Sequence, residues 1–399
     1  MKRIPECVNI IFILSLLGSS IPSLAHELSG YFGVDARLFR DPPLFSDQAR
    51  HNASLTTQLE YYHDSEDLNE RVAITLFGRG DGEDTDRSHI DFREFFWLKN
   101  FENTELYAGV RKIFWGVTES VHLVDIINQT DVLENIDGED KLGQPMLQLT
   151  STRDWGTVSA FLLPYFRERK FLGDDSRLRP GPSIIEEAQY QSSQQEEHVD
   201  FALRYSHFVD IFDFGISYFA GTNRTPLLLP IEDDETLRLL PIYRQLEQVG
   251  LDFQATLGAW LFKLEAIGMK DDEFGRNTAA VGGFEYTFFT IANSNADLGI
   301  IVEYQFDDRT GLRSVVPQND IAIGARYAFN DYDASEILAL FAQDLDYDNR
   351  FFSLELSRRL TDNWKLEAEA RIFSSVEAGT VEFDLRGDSY IQLDLRHYF

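Results

Sequence analysis

The chain has 399 residues, with 36 Lys+Arg against 67 Asp+Glu and a formal net charge of −31. That acidity excludes sequence-independent binding to nucleic acid, whose phosphates need clustered cations. A single cysteine excludes an intramolecular disulfide, no Cys/His cluster has zinc spacing, and 32 Phe with 16 Tyr are too many for a disordered chain.

Lys2 and Arg3 precede an almost wholly apolar run from Val8 to Leu17, and Ser23-Leu24-Ala25 supplies the small residues of a cleavage site. A run of about ten residues is too short to span a bilayer as a helix, which needs roughly 20. Residues 1–25 therefore read as a secretory signal peptide that carries away Cys7, and 26–399 as one domain.

Beyond residue 26 the apolar residues recur with period two, the spacing of strands with one apolar and one polar face. Phe352, Leu354 and Leu356 alternate with Ser353, Glu355 and Ser357; after Thr361-Asp362-Asn363, Trp364, Leu366, Ala368, Ala370 and Ile372 alternate with Lys365, Glu367, Glu369 and Arg371. Segments of this kind are predicted at 28–40, 51–63, 70–79, 89–99, 104–115, 144–153, 157–166, 198–208 and 211–221. They continue at 242–256, 260–270, 276–290, 297–306, 319–329, 336–345, 350–360, 364–373 and 389–399. Connections after odd-numbered segments are long, including 116–143, 167–197, 222–241, 307–318 and 374–388, whereas those after even-numbered ones are tight. Prolines such as Pro42, Pro180, Pro226 and Pro317 fall in the long connections and none in the tight turns. Trp97, Trp155, Trp260 and Trp364 all stand beside tight turns, and the last segment runs Ile391, Leu393, Leu395, His397, Phe399 on one face.

Long loops at one end, short turns at the other and an aromatic belt are the marks of a transmembrane barrel. The mature chain resembles bacterial outer-membrane β-barrels in the style of porins and porin-like export channels. The resemblance implies an all-β, antiparallel up-and-down barrel of about 18 strands (16 is the alternative count) in the outer membrane of a Gram-negative bacterium. It also implies contact with outer-membrane lipid, recognition of Phe399 by the barrel-assembly machinery, an oligomer as one possible state, and no cofactor. His397 departs from the pattern, since a hydrophobic residue is usual there, and no motif fixes the subfamily.

The polar faces supply a candidate lumen wall of Arg37, Arg71, Arg79, Arg111, Arg204, Arg326 and Arg371, interleaved with acids that include Glu105, Glu303, Glu367 and Glu369. Such residues either line a polar conduit or pair across strands on a solvated wall. The connection 116–143 is too apolar at Val121 to Ile127 for a free surface loop, and Leu123, Ile126, Ile127 and Thr130 have helical spacing. It also carries Glu119, Asp125, Asp131, Glu134, Asp137, Glu139 and Asp140. It is expected to fold into the barrel and to present these carboxylates at a constriction; a helix over the mouth or an inter-barrel contact are the alternatives. Asp344, Asp346, Asp348 and Glu355 have the spacing of a calcium loop, but a strand stands where the EF-hand needs a helix, so no metal site is expected. Enzyme motifs such as H-E-x-x-H and G-x-S-x-G are missing, and His198 beside Glu197 is a faint candidate at most. The expected function is passive passage of small polar solutes with anions disfavoured. A non-conducting adhesion or scaffold barrel comes second, and an outer-membrane hydrolase third.

Overall fold

A computed structural model describes residues 26–233, 236–315 and 318–399; the proposed signal peptide lies outside the described residues. Eighteen antiparallel strands form one closed sheet. In chain order they are β1 (His26–Phe39), β2 (His51–Asp64), β3 (Glu70–Asp81), β4 (His89–Phe101), β5 (Thr104–Arg111) and β6 (Gln144–Arg153). Next come β7 (Gly156–Leu163), β8 (Asp200–Val209), β9 (Phe212–Thr222), β10 (Gln245–Leu257), β11 (Trp260–Asp271) and β12 (Gly275–Phe288). The last six are β13 (Asp297–Asp307), β14 (Asn319–Ala328), β15 (Glu336–Asp344), β16 (Arg350–Arg359), β17 (Trp364–Ser374) and β18 (Tyr390–Tyr398).

The barrel closes where β1 pairs with β18, from Tyr31 opposite Tyr398 to Phe39 opposite Tyr390. The Phe399 amide donates to the Gly30 carbonyl at 3.1 Å and receives the Gly30 amide on its own carbonyl at 3.2 Å. Closure leaves no sheet edge with unsatisfied backbone groups, which is what a lipid environment demands. The outward faces are apolar and uncovered: Leu55 and Ile90 are 66% and 79% exposed. Trp155, Trp260 and Trp364 are exposed beside the short turns, and Trp97 anchors there by donating to Glu70 Oε2 at 3.2 Å.

The short-turn end holds connections such as 102–103, 154–155, 210–211 and 258–259; the other end holds 112–143, 164–199 and 223–244. The last of these is not the plain loop expected at 222–241. Leu227–Asp233 and Thr236–Tyr243 form a hairpin, to which Ser183–Ile184 and Gln189–Tyr190 add in parallel, and β10 starts at Gln245. This small sheet belongs with the 164–199 segment, which crosses the outer mouth. Arg177 Nε sits 2.5 Å from Asp388 Oδ1, the Ala49 amide donates to the Asp175 carbonyl at 3.0 Å, and the Gly173 amide to Asp84 Oδ2 at 3.1 Å. A segment leaving from β7 thus reaches the loops of β1–β2, β3–β4 and β17–β18.

The 112–143 segment lies inside the barrel. Its Trp115, Val124, Ile126 and Ile127 form a buried cluster with inward-facing Met146, Phe161, Phe219, Ile267 and Met269 of β6 to β11. Burial of Val124 and Ile127, both 0% exposed, contributes about 4 kcal/mol to holding the segment there. Gly250 makes the approach possible: a Cβ at that position would stand 3.2 Å from Val124 Cγ1 and 2.6 Å from Ser217 Oγ.

Candidate functional site

The inward segment has no helix, contrary to the spacing of Leu123, Ile126, Ile127 and Thr130. Over 117–124 its amide groups bond to carboxylates of the wall rather than to its own carbonyls. Glu265 of β11, 0% exposed, accepts the Val117 amide at 2.7 Å, the Thr118 amide at 3.1 Å, the Thr118 hydroxyl at 2.8 Å and the Val124 amide at 3.2 Å. Glu303 of β13 accepts the Glu119 and Ser120 amides, each at 2.9 Å. Two wall carboxylates thereby satisfy buried donors that a helix would otherwise have satisfied, which removes the reason to coil.

The acidic side of the segment faces the wall arginines. Glu119 Oε2 is 2.7 Å from Arg326, Glu134 Oε2 is 2.6 Å from Arg79, and Asp137 Oδ2 is 3.2 Å from Arg371. Arg37 donates to the Glu134 carbonyl at 3.4 Å, and Asn135 donates to Glu369 at 3.1 Å. Of the seven acids expected at a constriction, Glu119, Glu134, Asp137, Glu139 and Asp140 line the lumen. Asp125 and Asp131 do not. Asp125 accepts Lys141 at 3.1 Å and the Trp115 amide inside the segment, and Asp131 is buried against Arg93 at 2.5 Å.

The expected wall residues all sit on inward faces, with different surroundings. Arg111 bonds to Gln148 and lies over the Tyr107 ring, whose hydroxyl donates to Glu105 at 3.0 Å. Arg204 pairs with Asp252 at 2.6 Å and covers Trp115, so it supports the buried half of the barrel and not the open cavities. Arg71 pairs with Asp64 at 2.6 Å at the short-turn end, and Glu367 joins Lys365 and Arg396 at 2.6 and 3.0 Å. Arg93 was missed: a bulge opposite Thr75 and Leu76 turns it inward beside Glu94. The sequence carries its trace, because the outward apolar residues slip from Ile90 and Phe92 to Phe95 and Trp97. The Asp344 cluster is a turn, with Asp344 Oδ1 accepting the Asp346 and Tyr347 amides, while Glu355 pairs with Arg371 at 2.8 Å. His198 Nδ1 stands 2.8 Å from Asp200, which also holds Arg224 at 2.6 Å, a rim ion pair.

What remains of the lumen is off-centre. A cavity of about 940 Å³ runs along β14–β18 and β1–β2 below the segment, its lining including twelve acidic and six Lys or Arg residues. A second, of about 390 Å³, lies above it on the outer side, and the two share Glu119, Asp137 and Glu139 of the segment and Leu338 and Glu355 of the wall. At that junction His122 bonds through Nε2 to Glu139 at 2.8 Å, and its Nδ1 is 3.7 Å from Glu265. Burial opposes a charged ring, but the carboxylates of Glu139 and Glu265 outweigh it and hold the His122 pKa up to about 10. The enclosing wall, then the charges of Glu134, Asp137 and Asp131, push the Asp140 carboxyl up to about 7. Its side chain is open to the lumen, so water tempers the first of these effects.

A closed sheet with a lipid-facing exterior, a girdle at one rim and a charged interior leaves one class of protein. The fold is that of an outer-membrane β-barrel. It places the chain in the outer membrane of a Gram-negative bacterium. Among solved structures, the barrel is similar to Wzi of Escherichia coli, described as an outer-membrane protein involved in group 1 capsule assembly and a carbohydrate-binding β-barrel. That similarity has a TM-score of 0.54 and 10% identity, over 92% of this chain and 83% of that one. A mutant of the Rh. blastica porin (TM-score 0.44, 10% identity, 94% and 100% coverage) and trimeric OmpT of Vibrio cholerae (0.47, 9%, 94% and 99%) are looser matches. No protein-family model matches the chain, and no curated protein is significantly similar to it in sequence.

Proposed function

We propose that this outer-membrane barrel is a channel for small polar solutes, narrowed by the 112–143 segment, and that its acidic surplus disfavours anions. The observation that carries the reading is the pair of cavities meeting at Glu119, Asp137 and Glu139, with twelve acids against six bases along the larger one. Arginine pairing neutralises part of the constriction: Glu119, Glu134 and Asp137 each face a guanidinium. Selectivity then rests on the acids left over, by the logic of charged rings in pores. The reading includes no catalytic step.

Planar-bilayer recording of the mature chain tests the proposal. Stepwise conductance with a reversal potential of cation sign in a KCl gradient is expected, and removing 120–137 should raise the unit conductance several-fold. A folded barrel that stays silent would refute the channel. The cover formed by 164–199 favours one second reading, a non-conducting barrel that holds a polar ligand at its outer face, as Wzi's description as carbohydrate-binding invites. Saccharide binding by a silent barrel would support that alternative.

A further inference from the structure

The outer compartment differs in character from the larger cavity. Its wall is built from inward-facing Leu338 and Leu340 of β15, Phe351 of β16 and Phe373 of β17, and Val381 and Leu385 of the 375–389 loop close it. A strand face that merely lines water has no need of two phenylalanines and two leucines. Of the two guanidinium groups at its edge, Arg371 is paired with Glu355, Asp137 and Glu369, whereas Arg350 is solvent-exposed and donates to the neutral Gln343 side chain.

At the outer end of this apolar chamber stand carboxylates without a counter-charge. Asp320 and Asp344 are directly opposite each other on β14 and β15, a like-charge pairing that costs stability. Among the described residues, Asp320 accepts only the Gln318 and Asn319 amides, Asp344 caps its own turn, and Glu382 accepts the Asn349 side chain at 3.2 Å. Among the described residues, none of the three forms an ion pair. Burial, and then the charge of Asp344, hold the Glu382 carboxyl above the usual range. The lining also includes Gln305, 3% exposed, whose Oε1 has no hydrogen-bond partner among the described residues. A buried acceptor left without a donor is unfavourable.

A divalent ion would need ligand atoms close together, and among the described residues the one group of that kind is His89, Asp131 and Glu134, outside this compartment. An ammonium group, with three donors and no coordination geometry to satisfy, suits the looser spacing. We propose that the outer compartment binds a small solute that joins an ammonium group to an apolar, aromatic body. The ring sits among Leu340, Phe351, Phe373 and Leu385, and the ammonium is directed at Asp320 and Glu382. The volume of about 390 Å³ is within the range of small-molecule sites. This names a solute class for the proposed conduit, and it rests on that reading only for the route of entry.

The test is calorimetric titration of the full mature chain in detergent micelles, against empty micelles, with 2-phenylethylamine, phenylacetate and ethanolamine. Phenylethylamine should bind at least tenfold more tightly than phenylacetate, which reverses the charge, and than ethanolamine, which lacks the ring. The double variant Asp320→Asn, Glu382→Gln should weaken phenylethylamine binding at least tenfold. Each variant is checked for the folded band on an unheated gel. If the double variant fails to fold, Glu382→Gln alone, in a loop, should still show a loss of about fivefold. Equal binding of phenylacetate, unchanged binding by the folded variants, or displacement of phenylethylamine by Ca²⁺ alone at equimolar concentration would each overturn the proposal. Binding by a silent barrel would refute the channel and leave this site standing; conductance without binding would do the reverse.

Discussion

Glu265 shows what one buried carboxylate does when several donors converge on it. Four hydrogen bonds from the inward segment end on its two oxygens, with His122 close by. Glu265→Gln keeps the shape, removes the charge and replaces one acceptor with a donor, so it should cost about 3 kcal/mol in anchoring the segment. The expected readout is noisier, larger conductance steps in a barrel that still folds. His122 adds a pH dependence whose sign follows from its raised pKa. A ring that stays charged up to about 10, against about 6.5 when free, stabilises the closed packing below pH 6.5 and loses that contribution as pH rises through 10. Asp140 works the other way, because a carboxyl held at about 7 is neutral just where an ordinary one is charged. Cation preference should therefore fall as pH drops from 8 to 6, a step that Asp140→Asn should abolish in reversal-potential measurements. A step centred near pH 4 would contradict this assignment.

Among the elements, the 164–199 segment and the 112–143 segment divide the labour. The first covers the outer mouth, and its hold depends on Arg177, 4% exposed, bonded to Asp388 and to the Gly387 carbonyl at 2.6 Å. Arg177→Ala strands a buried carboxylate, a loss of about 3–5 kcal/mol at that contact. The cover should then open, seen as new protease cleavage within 164–199 while the barrel strands stay protected. The second segment was recognisable in the sequence as something other than a surface loop, since Val121 to Ile127 has no place in water. Its lack of helix was not recognisable. The helical spacing was real, but Glu265 and Glu303, more than 140 positions further along the chain, took the amide groups. The bulge at Arg93 is an intermediate case, visible in retrospect as a one-residue slip of the outward apolar series.

For the whole molecule, closure is the decisive event, and it joins the two ends of the described chain. Phe399 contributes its amide and carbonyl to Gly30 and stacks on Phe32 at 5.3 Å between ring centroids. Deleting Phe399 should lower the fraction of chain that reaches the heat-modifiable folded form in the outer membrane, measured on unheated gels. Unaltered folding would remove any special role for the terminal residue in assembly.

The amino-acid sequence by itself determined the barrel. Period-two alternation is a local property, set by which face of a strand meets lipid, and it survives in any register, so all eighteen strands and the asymmetry of the two ends were legible. The candidate lumen was legible only as a list of charges on inward faces. Which of them face open water was decided by tertiary structure. Half of the interior, around Met146, Phe161, Phe219 and Ile267, is apolar and packed against the inward segment, which leaves the larger open cavity on the β14–β18 side. Strands there are apolar on both faces, and no single strand reveals which of its apolar faces meets lipid and which meets protein. Asp125 and Asp131 point into packing instead of water for the same reason. Charge and periodicity fix a residue's face, whereas its neighbours across the barrel exist only once the sheet has closed.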